Sequence, residues 1–163
     1  MRELTQIRDA VIGALRQAGL TAEAAFPDRE AGRYPGAAAT VAVGAAEGKA
    51  LGFCGYLGEL RDGSGGTREL YGKRLSGSVT VELRAERAAD CEAGTETASA
   101  VLLGGLPQGI RPGGLRWEGL TWEKTTGLFL RRGQLECEAL FLAQAEEDGE
   151  VFLDFQLKGV LNT

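Results

Sequence analysis

The stretch from Glu69 to Leu103 constrains the fold of this chain more than any other, because a strand pattern leads directly into a helix pattern. Apolar and polar side chains alternate in its first part, which is typical of a half-buried strand. The two expected faces carry Val79, Val81 and Leu83 on one side and Thr80, Glu82 and Arg84 on the other. This part of the chain therefore predicts one strand with a buried face and a wet face.

The second part of the same stretch predicts an amphipathic helix. Asp90 is expected to cap its first turn, and Glu92 lies where the helix dipole favours negative charge. The expected apolar face carries Ala98, Val101 and Leu102. The glycines at 104 and 105 and the proline at 107 should end the helix, with a glycine in the left-handed conformation. A strand followed by such a helix is a scaffold and carries no chemistry of its own.

The N-terminal part predicts a helix and then a hairpin. Apolar residues recur at three- and four-residue steps from Glu3 to Ala18, which indicates a helix that ends at Gly19. A short extended piece over 21–26 and a loop over 27–37 follow. Residues 39–44 alternate as a strand, 46–49 resemble a turn, and 51–57 alternate again as a returning strand. The Gly/Ser-rich segment from Arg61 to Arg68 is expected to be a flexible loop.

The C-terminal part predicts further strands. Residues 108–114 resemble a linker, and 115–123 an extended segment in which Trp117 and Trp122 would face opposite sides if the strand is regular. A long strand, or two abutting strands, is expected from Leu128 to Ala143, with a turn at 146–149 and a returning strand over 151–157. The pattern predicts an α+β fold, a mainly antiparallel sheet of about six or seven strands with two helices on one face.

Length and charge set bounds on the function. A chain of 163 residues is expected to form a single domain over 1–163, because at that size it buries roughly 68–70% of its unfolded surface. The 18 Lys+Arg and 23 Asp+Glu give a net charge of -5, which argues against tight nucleic-acid binding. No apolar run is long enough for a membrane helix or a signal-peptide core, so we expect no membrane association and a cytoplasmic protein.

The residues for common enzyme chemistry are sparse. The chain has no histidine, which removes the commonest general base and metal ligand, and its three cysteines lack metal-site spacing. Residues 44–50 resemble a phosphate-binding loop but lack its length, its hydroxyl and the following helix. Glu136 and Glu138 share a strand face and could divide acid and base roles, but a solvated face or an interface is favoured. We therefore predict no catalytic, cofactor-binding or metal-binding residues and no enzymatic activity.

Apolar residues on strand faces expected to be wet are more informative. Leu140, Leu142, Phe152 and one of the two tryptophans fall on such faces. Several such residues on one sheet indicate either helices on both faces or a partner surface, and with two helices we favour the partner. Arg61 and Arg68 flank the glycine-rich loop, where a neighbouring subunit would hold them. The candidate subunit interface is Trp122, Leu140, Phe152, Arg61 and Arg68.

The order of these elements resembles the tail terminator proteins of long-tailed phages and related contractile phage-tail-like particles. An N-terminal helix, a short strand and a hairpin precede a strand, a cysteine-containing turn and a second helix. The residues that carry the likeness are Ile7-x3-Val11-x3-Leu15, Glu69-x-Tyr71-Gly72-x-Arg74, Cys91, Val101-Leu102-Leu103, Trp117-Glu118-Gly119 and the strand from Leu135 to Phe141.

The resemblance implies a non-enzymatic structural protein without cofactors. It implies a hexameric ring that stops growth of the tail tube, contacts tube subunits and, in a contractile particle, sheath subunits, and presents a joining surface to head or collar proteins. Such a protein would be cytoplasmic during assembly and then part of the particle. Two alternatives remain at this stage: a head-tail joining, neck or baseplate protein of the same kind of particle, and a small-molecule-binding or enzymatic α+β domain.

Overall fold

The computed structural model describes residues 2–25, 36–61, 63, 65–146 and 154–158. In this part of the chain two helices and eight strands form an α+β fold, which confirms the predicted class with one or two strands more than expected. The elements are α1 (Arg2–Gln17), β1 (Thr21–Glu23), β2 (Ala38–Ala50), β3 (Tyr56–Arg61), β4 (Thr67–Ala85), α2 (Ala88–Gly104), β5 (Ile110–Trp117), β6 (Thr121–Glu123), β7 (Leu128–Glu146) and β8 (Gln156–Leu157).

Two long strands form the centre of the sheet. β4 and β7 have 19 residues each and pair antiparallel from Arg68 opposite Glu146 to Ala85 opposite Phe129. β2 and then β3 pair with the other edge of β4, while β8, β5 and β6 pair in turn with the other edge of β7. Every pairing is antiparallel except that of β1 with β2. At about 3.3 Å per residue the central pair is roughly 60 Å long.

Both helices pack on one face of this sheet. The predicted alternation in β4 is confirmed: Val79, Val81 and Leu83 are fully buried, whereas Thr80, Glu82 and Arg84 are half-buried. α1 contributes Ile7, Val11 and Leu15 to the same core, and α2 contributes Cys91, Ala98 and Leu102. We call the side that carries Val79, Val81 and Leu83 the helix-covered face, and the side that carries Thr80, Glu82 and Arg84 the open face.

The predicted first hairpin is wrong. β2 continues through the expected turn at 46–49, with a register shift between Val43 and Ala46, and it pairs with β4 instead of folding back on 51–57. Gly77 makes this course possible, because a Cβ there would lie only 2.8 Å from the carbonyl oxygen of Ala45. The chain turns later, over 51–55, and Tyr56 begins β3.

Helix α2 ends at the predicted glycines, but neither its beginning nor the conformation of its C-cap is as predicted. Its first residue is Ala88, and the N-cap residue Arg87 makes no side-chain capping bond. Asp90 lies inside the first turn, where its carboxylate accepts a hydrogen bond from Arg87 Nε at 3.2 Å. At the other end Gly105 N–H donates to Val101 O at 2.7 Å with a φ of -115°, so no left-handed glycine is used.

The predicted linker at 108–114 is also wrong, because β5 begins at Ile110 and crosses these residues with a bulge. The two tryptophans do not face opposite sides. Trp117 lies opposite Gly133 and Trp122 opposite Phe129, so both are on the helix-covered face. The chain between β5 and β6 contains one residue more than the opposing part of β7, which reverses the alternation.

Candidate interaction surface

The open face is covered by neither helix within the described residues, because both pack into the core on the opposite side. The central strands present it over most of their length, and it falls into two regions of different chemistry. One region lies around β3 and the beginning of β4. The other lies around the end of β4, β6 and the beginning of β7.

The apolar half of the open face consists of leucines. Leu57 and Leu60 are each 41% exposed, and the others are half-buried. Leu57 shares this face with Leu60 because a register shift between Tyr56 and Gly58 interrupts the alternation of β3. A Cβ at Gly72 would lie 2.6 Å from Leu57 Cδ1, so this glycine makes the room that Leu57 occupies. The apolar half is Leu51, Leu57, Leu60, Leu70, Leu140 and Leu142.

The charged half of the open face consists of Glu82, Arg84, Glu123 and Arg132. Arg84 donates to both carboxylate oxygens of Glu123, at 2.9 and 3.2 Å, and to Glu82 Oε2 at 2.8 Å. Arg132 Nε donates to the other oxygen of Glu82 at 3.1 Å. These bonds join β4 to β6 across β7, so the charges hold three strands together.

Burial and hydrogen bonding set the protonation states of this network. The hydrogen bond from Arg84 lowers the pKa of Glu123, and a second bond from Thr126 acts in the same direction. Burial alone would lower the pKa of Arg84, but its bonds to Glu123 and Glu82 outweigh burial and raise it. The side chains of Arg84 and Glu123 are only 11% and 20% exposed. The network is a compact set of fixed charges that satisfy one another.

Between the two halves lies a shallow depression of about 560 Å³, lined in part by Ser76, Arg111, Glu136 and Glu138. The two carboxylates share the open face, as predicted, and Glu136 Oε1 accepts a long hydrogen bond of 3.5 Å from Gln134. Cys137 between them belongs to the core, and burial raises its pKa to about 11. Among the described residues no cluster of three or more His, Cys, Asp or Glu could hold a metal ion.

The predicted interface residues occupy different places. Leu140 belongs to the apolar half, and Arg68 lies at its edge, where Nη1 donates to Gln144 Oε1 at 3.5 Å. Arg61 is exposed at the end of β3, opposite Thr67. Trp122 is 54% exposed near the other end of the sheet, with its ring 5.0 Å from that of Phe129. Phe152, residues 147–149 of the predicted turn and nearly all of the loop predicted at 27–37 lie outside the described residues, and Glu146 is the last residue of β7.

Sequence reasoning missed the most exposed large apolar side chain of the described residues, Phe53, which is 85% exposed. It lies at the tip of the turn over 51–55. The turn is fixed at both ends to Gly72, which accepts from Leu51 N–H at 3.0 Å and donates to Gly55 O at 2.8 Å. The signal in the sequence is the spacing of glycines at 52, 55 and 58, all of which have positive φ. The alternation of apolar residues hid this signal by favouring a strand.

Comparisons with known proteins identify no family. No family model matches the chain, and no curated protein matches it. Among solved structures, a chain described as "Virion of native gene transfer agent (GTA) particle" is similar to this one, with 22% identity over 83% of this chain and 88% of that chain and a TM-score of 0.29. A likeness at this score assigns neither a role nor a partner. No helix among the described residues is long and apolar enough to cross a membrane.

Proposed function

We propose that this chain is a structural protein of a phage or phage-tail-like particle, and specifically a tail terminator. In this proposal a single domain assembles with other copies into a hexameric ring that stops growth of the tail tube. The ring contacts the tube, the sheath in a contractile particle, and head or collar proteins. The observation that carries the proposal is the apolar half of the open face.

Leucines that lie together on an uncovered sheet face are typical of surfaces that bind another protein. Isolated exposed apolar residues are common, but a contiguous group bordered by polar side chains marks an interaction site. Leu57 and Leu60 form the exposed part of this group, and Arg68 and Gln144 form part of its border. In a ring, burial of these leucines against a neighbour or the tube would stabilise the assembly by about 25 cal/mol per Å² of apolar surface.

The order of elements that resembles tail terminators supports the same proposal. In the structure the first helix, the strand–helix unit of β4 and α2, and the long β7 follow one another in the order on which the resemblance rests, but β2 pairs with β4 instead of forming the expected hairpin. The acidic balance of the chain suits a ring that DNA passes through, because acidic groups lining a channel would not retain DNA. The proposed role requires no catalytic group or cofactor.

The proposal is tested by disrupting the gene in a strain that makes the particle and measuring tail length by electron microscopy. We expect tubes of uncontrolled length without heads, because nothing stops their growth. The wild-type gene should restore uniform tails, and Leu57→Asp/Leu60→Asp should not. Leu103→Asp is the matched control, since Leu103 is 51% exposed but lies on α2, and it should restore them.

Two results would overturn the tail terminator proposal. Tails of normal length that lack heads would assign the chain to head-tail joining or the neck. Normal particles from the disrupted strain would remove the chain from particle assembly.

A further inference from the structure

The turn that carries Phe53 projects from the sheet and is hydrogen-bonded at both ends to Gly72. Three of its residues have positive φ, namely Gly52, Cys54 and Gly55, and Cys54 is the one non-glycine with this conformation among the described residues. A Cβ at Gly52 would lie 2.2 Å from Tyr56 O, so the turn depends on glycine there. Backbone strain of this kind persists where the surrounding structure fixes it, and it is concentrated at binding sites.

An open groove of about 500 Å³ lies between α1 and the segment that follows α2. Ala10, Gly13, Ala14, Leu106 and Pro107 form its apolar part. Gly13 leaves the groove wide, because a Cβ at this position would meet no atom within 4 Å. A groove of this volume has room for an aromatic side chain, since pockets of roughly 300–1,000 Å³ hold whole drug-sized ligands.

We propose that Phe53 of one copy inserts into this groove of a second copy. Every copy carries both partners, and Phe53 does not fill the groove of its own chain, because it is 85% exposed. Asp9 lines the groove, where its Oδ1 pairs with Arg8 at 3.0 Å while its side chain remains 59% exposed, and the exposed Lys49 at the base of the Phe53 turn has the charge to approach it. Because the turn is fixed to Gly72 before binding, little further ordering opposes the contact.

The two surfaces are different parts of the molecule, so the contact is head-to-tail. A head-to-tail contact repeats from copy to copy and closes into a ring when the rotation between copies allows it. The inference thus rests on the proposed function and names the residues that join neighbours in the ring. Aromatic side chains, phenylalanine included, bury large areas and dominate the energetics of many interfaces.

Cross-linking tests the contact, because Cys54 is exposed beside Phe53 while Cys91 and Cys137 are buried. Gln17→Cys places a second thiol at the groove. A short bis-maleimide should then link Cys54 of one copy to the new thiol of another, giving dimers and longer oligomers. The wild-type chain, which lacks the thiol at position 17, shows the background from Cys54 alone.

Two changes should each lower the yield at least tenfold. Phe53→Ser removes the inserting side chain. Gly13→Leu fills the groove at a half-buried helix position, where a Cβ would meet no atom within 4 Å and leucine is a better helix former. Circular dichroism should show that both variants fold, with an unchanged or higher thermal midpoint for Gly13→Leu. Leu103→Ser is the matched control, since it removes another exposed large apolar side chain that does not line the groove, and it should leave the yield unchanged.

Mixing tests the head-to-tail geometry. A Phe53→Ser/Gln17→Cys chain has an intact groove and no insert, and a Gly13→Leu chain has the insert and a filled groove. Mixed, they should form linked dimers of one copy of each and nothing larger. An unchanged yield in Phe53→Ser, or no dimers from the mixture, would overturn the inference.

The outcomes separate this inference from the proposed function. If Phe53→Ser abolishes control of tail length but leaves self-cross-linking unchanged, its partner is the tube and not a second copy, and the inference is wrong. If cross-linking depends on Phe53 while gene disruption leaves tails normal, the contact stands and the tail terminator proposal fails.

Discussion

The two halves of the open face differ although the same strands form both. Arg68 and Arg84 lie on β4 and share this face. Arg84 is enclosed by Glu82 and Glu123 and is 11% exposed, whereas Arg68 is exposed and makes one long hydrogen bond to Gln144. The charged half thus pairs its charges within the chain, whereas the apolar half exposes leucines to solvent.

The difference shows two ways in which the side chains of a sheet face can be stabilised when no helix covers that face. Paired charges can remain at a surface because each satisfies the other and water reaches their borders. Leucines gain no such partner in water and are stabilised only when another surface covers them. We therefore expect the charged half to determine the stability of the isolated chain and the apolar half to determine its assembly.

The largest expected effect on folding is that of Arg84→Ala. This change leaves Glu82 and Glu123 close together in a largely buried site without their common partner. Loss of one member of a buried pair lowers the free energy of unfolding by 3–5 kcal/mol, and partial access of water should reduce this to about 2–4 kcal/mol. Urea denaturation followed by circular dichroism measures the change, and a loss below about 1 kcal/mol would contradict this view of the network.

Glu123→Gln should have a smaller effect that depends on pH. The pKa of Glu123 is below its ordinary value of 4.5 because of Arg84. A lowered pKa in the folded state adds stability that is present above the unfolded pKa and is lost as pH falls through the folded pKa. At pH 7 we expect a loss of about 1–2 kcal/mol.

The pH dependence provides the control for Glu123→Gln. The difference from the wild-type chain should shrink as pH falls below 4.5, because the wild-type carboxylate then takes up a proton. Denaturation at a series of pH values checks this, with the exposed Glu136→Gln on the same face as the matched variant. A difference that is constant from pH 7 to low pH would show that the charge of Glu123 is not the cause.

The sequence is sufficient to predict those helices and strands that have one face buried in the core along their whole length. The alternation of β4, the apolar face of α1 and the long course of β7 each follow from a single buried face, and each is confirmed. The class of fold follows from the same patterns. The halves of the open face were only partly foreseen: Leu140 and Leu142 were recognised as apolar residues on a wet face, but the pairing of Arg84 with Glu123 joins residues far apart in sequence.

The errors arise where a shift in strand register changes the alternation. The bulge in β2 carries the strand through residues expected to turn, and the bulge in β3 places Leu57 beside Leu60 on the open face. The extra residue between β5 and β6 moves Trp122 to the helix-covered face. A register shift depends on the opposing strand, which a local pattern does not contain.

In the apolar half, Leu60→Asp should change folding little and assembly strongly. Leu60 is 41% exposed in the isolated chain, so the free energy of unfolding should fall by less than about 1 kcal/mol. A carboxylate buried at an interface without a partner is strongly unfavourable, so tails made with this variant should not be capped. Denaturation and tail length measured on one variant check both expectations. A large loss of stability with normal tails would reverse the roles assigned to the two halves.

The smallest expected effect is that of Arg68→Ala, the counterpart of Arg84→Ala on the same strand and face. Within the described part of the chain, the bond of Arg68 to Gln144 is 3.5 Å long and exposed, at the limit of a hydrogen bond. Its loss should change the free energy of unfolding by no more than about 0.5 kcal/mol. Denaturation in parallel with Arg84→Ala makes the comparison direct, because both changes remove one guanidinium from β4. Equal losses of the free energy of unfolding in the two variants would show that burial of the charges does not distinguish the two halves. A loss in Arg84→Ala alone would locate the stabilising charges at the end of the sheet that contains β6.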